Sequence, residues 1–209
     1  AGGWSVLPEW SSRRLLLSQD TADNLARVTV RAKGAGKPYD RSAFGSPWSD
    51  EDHNGCDTRN DILSRDMADV SFGDRSSCRV RQGTLVDPYT GRTIEFVAGK
   101  ESRKVQIDHV VALSDSWVSG AWEWPAERRR AFANDPENLL AVDGPTNEDK
   151  GGSDAAEWLP PDRAFRCPYV ARQVKVKAAY GLSVTPEERT TILDVLSRCP
   201  NFGLSPSPG

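Results

Sequence analysis

The chain has 209 residues, 37% of them hydrophobic, with seven Trp and a net charge of −3 from 27 basic and 30 acidic side chains. That composition supports a packed core in one large domain or two small ones and excludes a chain disordered by composition. It also excludes a polybasic binder held on nucleic acid by bulk charge, and no run approaches the ~20 apolar residues of a membrane span.

In chain order, residues 22–32 alternate loosely (Leu25, Val28, Val30) and read as a helix end or a strand. Residues 34–48 are rich in Gly, Pro and Ser and read as loop. Ile62, Leu63, Met67 and Val70 recur at helical spacing, predicting a helix over 58–70. A hairpin is expected over 78–97, turning at Asp87-Pro88-Tyr89-Thr90-Gly91. Val105 and Ile107 begin a strand, 138–142 is a second apolar strand, and a Trp-rich helical insert over 114–133 separates them. Trp117, Trp122 and Trp124 are expected to pack that insert against the hairpin. Ser153-Asp154 with Glu157 opens a further helix that Pro160-Pro161 stops. Thr185-Pro186-Glu187-Glu188 is a cleaner start, with Thr at the N-cap, Pro next and Glu at the third helical position. The organisation expected is an N-terminal extension over 1–37, one α+β domain over 38–200 and a disordered tail over 201–209.

Cys56, Cys78, Cys167 and Cys199 form no CxxC pair, so a zinc knuckle or thioredoxin motif is excluded. Two disulfides suit them. Three pairings are open, and locality favours Cys56–Cys78 with Cys167–Cys199, each closing a loop worth ~3 kcal/mol in the chain-entropy model. The alternative is four reduced, buried thiols in a cytosolic protein; the compartment expected is extracellular.

The stretch that carries chemistry is Ile107-Asp108-His109-Val110, then Pro136-Glu137-Asn138-Leu139, then Asn147-Glu148-Asp149-Lys150. Phosphodiester hydrolysis calls for a base to deprotonate water, and His suits it; the chain has two, His53 and His109. A divalent cation that stabilises the leaving oxygen wants oxygen ligands. Adjacent side chains on a regular strand point to opposite faces, so Asp108 and His109 share one site only if the strand ends or bends there.

The order Asp-His, Asn in a second strand, then Asn-x-x-Lys on a helix resembles the HNH superfamily of ββα-metal nucleases. The Gly55-to-Arg59 block (Gly-Cys-Asp-Thr-Arg) and the Trp158-to-Pro161 block (Trp-Leu-Pro-Pro) are similar to its secreted actinobacterial branch. The resemblance implies an α+β fold: a ββα-metal HNH core with hairpin, helical insert, flanking helices and two disulfides. It implies His109 as general base, Asp108 and Asn147 as metal ligands, Asn138 as the residue tying the loop to the base, and Lys150 near the scissile phosphate. Asn147, where relatives carry His, favours Mg²⁺ or Mn²⁺ over Zn²⁺. The function implied is a secreted metal-dependent endonuclease of low sequence specificity, acting on DNA with RNA left open, without a membrane and as a monomer. The rivals are an inactive extracellular nucleic-acid or wall-associated binding module, a structural domain with a polar core, and a sequence-specific enzyme.

Three weaker signals remain. Asp50-x-Asp52-x-Asn54-Gly55 with Asp61 at the twelfth position has the spacing of a Ca²⁺ loop, against which stands an acidic turn containing Gly. Arg59 reads either as a bidentate phosphate contact or as the partner of Asp57. Arg163, Arg166, Arg172, Lys175 and Lys177 form a basic strip without an acid, read as a phosphate track or a solvated helix face.

Overall fold

The computed structural model describes residues 17–73, 78–99 and 101–200. The expected tail over 201–209 and the first sixteen residues of the extension lie outside them. The fold is α+β, with two small antiparallel sheets among seven helices in the described residues. One sheet joins β1 (Ala68–Phe72), β2 (Val80–Val86) and β3 (Thr93–Val97) in that order; the other pairs β4 (Val105–His109) with β5 (Leu139–Asp143). The helices are α1 (Leu17–Arg27), α2 (Thr58–Asp66), α3 (Leu113–Val118), α4 (Ala126–Ala133), α5 (Gly144–Lys150), α6 (Arg166–Tyr180) and α7 (Pro186–Ser197).

Short polar caps fix three of the seven helix starts. Asp57 accepts from the Asn60 amide to open α2, Asp143 accepts from the Thr146 amide to open α5, and Thr185 accepts from the Glu188 amide to open α7. The helix expected over 58–70 stops at Asp66: Met67 is already extended, and Ala68 pairs with Thr84 as strand. Its apolar residues fit a helix and then a strand, and pairing with the hairpin decides the second part. The expected helix at Ser153-Asp154 is a single turn, in which the Asp154 carboxylate accepts from the Ala156 and Glu157 amides.

The β4–β5 pair is the frame of the molecule. Its register is regular from Val105 opposite Asp143 to His109 opposite Leu139. Alternation then sorts the side chains. Val105, Ile107, Leu139 and Ala141 join one core with Ile62 and Leu63 of α2; Leu140 and Val142 join a second with Tyr89, Tyr169 and Ile192. Leu25 and Val28 belong to that second core, and Val30 bridges Val184, so this part of the extension shares the packing of the main body. A third core gathers Phe44, Trp117, Phe132 and Leu182; the Trp-rich insert packs there, on the 39–44 segment and α6, rather than on the hairpin.

β5 turns into α5 without a spacer. Gly144 makes this possible: a Cβ there would run into the Arg103 carbonyl oxygen, a backbone atom that cannot swing away. The two disulfides are the local pairs, Cys56–Cys78 and Cys167–Cys199. The second ties the first turn of α6 to the end of α7 across 32 residues. Replacing both Cys167 and Cys199 with Ser is expected to lower the unfolding free energy by about 3 kcal/mol in urea titrations.

Candidate active site

The sequence-selected residues gather around β4, β5 and α5, and the regular strand divides them between two faces. Asp108, 5% exposed, points toward Tyr89. One carboxylate oxygen accepts from the Tyr89 hydroxyl, and the other accepts from Lys150 Nζ at 2.9 Å. Burial first, then the Asp108 charge, raises the Tyr89 hydroxyl well above its ordinary range and keeps it a donor. Lys150, 1% exposed, also donates to the His109 carbonyl at 2.9 Å. It is a buried clamp on the strand, in place of the phosphate contact the resemblance implies.

Asn147 does not meet Asp108 in a shared ligand set. Its amide donates to Gln106 Oε1 at 2.9 Å, and the Gln106 amide donates in turn to Glu148 at 2.8 Å. The two residues expected to hold Mg²⁺ or Mn²⁺ are thus engaged separately, and this arrangement does not fit a metal held between them. β4 does end at His109, but His109 still pairs with Leu139 in register, so the end of the strand does not turn Asp108 and His109 toward one another.

Asn138 is fully buried and ties the segment after β4. Its Oδ1 accepts from the Val111 amide at 2.8 Å, its Nδ2 donates to the Val111 carbonyl at 3.1 Å, and its own carbonyl accepts from the Val110 amide at 2.8 Å. This double clasp sets where the chain leaves β4, and so where His109 sits.

His109 follows the parity of Val105 and Ile107 onto the opposite face from Asp108. Its ring lies 5.8 Å from the Trp48 ring at an interplanar angle of 11°. Nε2 is 2.8 Å from the Ala133 carbonyl. A carbonyl only accepts, so that contact assigns the proton to Nε2 and leaves the lone pair on Nδ1. Burial lowers the imidazole from 6.5 to about 4 against the opposing Ala133 bond and Asp108 charge, with Arg41 and Lys150 adding to the drop. His109 is therefore uncharged at neutral pH, with its lone pair on Nδ1. It stands on the wall of a pocket of about 380 Å³ that Arg41, Phe44, Trp48, Leu113 and Asn134 also line.

The weaker signals resolve in structural terms. Arg59 donates to the Val105 carbonyl at 3.2 Å and anchors α2 on β4, and burial lowers its pKa. The carboxylates of the calcium-like loop are taken up internally: Asp50 accepts from the Asn54 and Gly55 amides, and Asp52 and Asp61 accept from the Asn54 side chain. Residues of the basic strip have partners within the fold. Arg172 donates to the Glu137 and Pro136 carbonyls, Lys175 pairs with Glu137, and Lys177 is buried against Asp115 and Glu188. Arg41, Trp48, Tyr89, Gln106 and Asn134 escaped the sequence reading. Only the aromatic rings and the loop composition marked their neighbourhood, since their contacts are made across the fold.

Fold and site together define a disulfide-bonded α+β protein with a ββα unit and a single buried imidazole beside it. Residues 57–195 match the family model described as the C-terminal domain of GmrSD restriction endonucleases, and the chain belongs to that nuclease-related family. It is also similar to a protein of Arthroderma benhamiae named "Uncharacterized secreted protein", with 37% identity over 185 residues, 87% of this chain and 86% of that one. No solved structure matches the chain. With a secreted relative and two disulfides, which persist in oxidising compartments, the protein is extracellular.

Proposed function

We propose that the protein is a secreted endonuclease that hydrolyses phosphodiester bonds of DNA, with His109 as the general base. The observation that carries this reading is the imidazole itself: neutral, fixed at Nε2 by the Ala133 carbonyl, with Nδ1 as its basic nitrogen, on the wall of a pocket. The succession β4, β5, α5 is the strand-strand-helix order of the HNH resemblance, and membership of a nuclease-related family supports the same chemistry. In this mechanism His109 Nδ1 takes a proton from water as the oxygen attacks phosphorus, the P–O3′ bond breaks to leave a 5′-phosphate, and the 3′ oxygen leaves as a hydroxyl with a proton from solvent; Asn138 keeps the ring in place through the loop at 110–111. Lys150 holds the strand end by its bond to the His109 carbonyl. Low sequence specificity is expected, since phosphate contacts carry no base code.

A second reading is a catalytically silent extracellular binding module. The closed Asp108–Lys150 pair favours it, because an ion pair buried on both sides offers no free carboxylate to chemistry. Incubation of supercoiled plasmid and of total RNA with the protein, in Mg²⁺, Mn²⁺, Ca²⁺ or EDTA, separates the two. The enzyme converts plasmid to nicked, linear and then smeared product. Intact plasmid and RNA in every condition sink the enzyme reading, and discrete bands would point to a sequence-specific enzyme.

A further inference from the structure

We propose that Arg41 binds the anionic phosphodiester of the substrate at the mouth of the His109 pocket, making the 39–48 segment part of the substrate site. The inference rests on His109 as the base and names what holds the substrate against it.

The pocket has walls from two distant parts of the chain: residues 41–48 on one side, and the ends of β4 and α4 on the other. Among the described residues that line it, Arg41 alone carries a full charge at neutral pH, and no carboxylate lines it. Neighbouring carboxylates are held elsewhere. Asp40 accepts from the Ser42 amide and hydroxyl, and Glu51 pairs with Arg130 at 3.0 Å. The exposed Arg41 guanidinium lies beside Tyr39, where burial raises the hydroxyl's pKa and the guanidinium opposes that rise. Its field reaches the imidazole, where it opposes protonation.

Two further features of the same pocket await a ligand. Asn134 is 3% exposed; its Nδ2 donates to the Arg130 carbonyl at 3.0 Å, while its Oδ1 is buried without a hydrogen-bond partner. Such an unmatched acceptor is costly, and a donor on the attacking water would recover that cost. Trp48 holds a positive φ of 59° while its ring lies along His109. A bulky side chain in the left-handed region is strained, and such strain collects at ligand sites. The cation at the rim suits a phosphodiester anion, while the uncharged base on the wall and the unmatched acceptor beside it suit the attacking water, which supplies the donors the anion lacks. The planar guanidinium suits it better than an ammonium would, because it can bind two phosphate oxygens at once.

The test compares wild type, Arg41→Ala and Arg41→Lys, with inorganic phosphate as the probe. Phosphate binding is read from the NMR shifts of the 42–48 amides, and cleavage of a labelled oligonucleotide supplies KM and kcat. In wild type, phosphate is expected to shift those amides and to inhibit cleavage competitively. Arg41→Ala is expected to lose the shifts and to lower kcat/KM on the order of 100-fold, with Lys restoring only part. Thermal melting near that of wild type shows that both variants are folded. Absence of phosphate shifts in wild type, or equal shifts and equal kcat/KM in Arg41→Ala, overturns the proposal. If His109→Ala still cleaves while Arg41→Ala has lost phosphate binding, the base assignment fails and the phosphate site stands.

Discussion

Lys150→Met is expected to lower the unfolding free energy by about 3–5 kcal/mol, because it leaves Asp108 charged and buried without its cation. The lysine does two things at once: it neutralises Asp108, and it holds the His109 carbonyl at the end of β4. Asp108→Asn alone should be costly for the mirror-image reason, since it strands the ammonium. The double variant Asp108→Asn, Lys150→Met should recover a substantial part of the loss, because both charges go together. Urea unfolding of the four proteins measures this directly. A Lys150→Met protein as stable as wild type would mean that the pair is not the clamp described here.

The second large effect concerns pH, through two buried groups shifted in opposite directions. Glu188 lies within 4.8 Å of Asp115 and Asp154, with Lys177 bonded to Glu188 at 2.6 Å and to Asp115 at 2.9 Å, and with Lys33 on Asp154 at 2.7 Å. Burial raises Glu188 from 4.5 to about 7, against the Lys177 charge and with Asp115 and Asp154 adding to the rise. Its Oε2 has no hydrogen-bond partner, so the ion pair with Lys177 is made through Oε1 alone. Because the folded form holds that proton more tightly, its contribution to stability is complete below pH 4.5 and is lost as pH rises toward 7. His109 runs the other way. Its folded value of about 4 lies below 6.5, so its contribution is present above pH 6.5 and lost as pH falls toward 4. Between pH 4.5 and 6.5 the two slopes oppose each other, and wild type is expected to show a shallow profile from this pair. Glu188→Gln should unmask the His109 slope, with stability climbing as pH rises from 4 to 6.5. His109→Ala should leave stability falling from pH 4.5 to 7. Parallel profiles for all three proteins in denaturant titrations would contradict both assignments.

Much of the frame was legible because it depends on short-range pattern. The alternation of Val105 and Ile107 and the apolar run at 138–142 mark the two strands, and the Asn-x-x-Lys of the resemblance marks the helix after them. Locality among four cysteines was enough to favour the pairing that forms. The arrangement around His109 was not legible in the same way. Trp48, Ala133 and Arg41 reach it from separate segments, and Tyr89 reaches Asp108 from a hairpin turn. Two errors have clear physical sources. The 58–70 helix continued a periodicity that Met67 breaks by turning extended, where pairing with β2 outcompetes the last helical turn. Lys150, expected near the scissile phosphate, and Lys177, expected on a phosphate track or a solvated helix face, are each buried on a carboxylate supplied by another element. Strand parity, in contrast, was already present in the sequence: Asp108 and His109 are adjacent, and an unbent strand sends them to opposite faces.

The measurement that tests the central claim most directly is the single-turnover cleavage rate of one oligonucleotide by wild type and by His109→Ala, with melting temperatures taken alongside. A folded His109→Ala protein that cleaves at least ~100-fold more slowly is the expected result, since loss of a general base typically costs that much. A folded variant that cleaves as fast as wild type would contradict the assignment and move the active site elsewhere on the molecule.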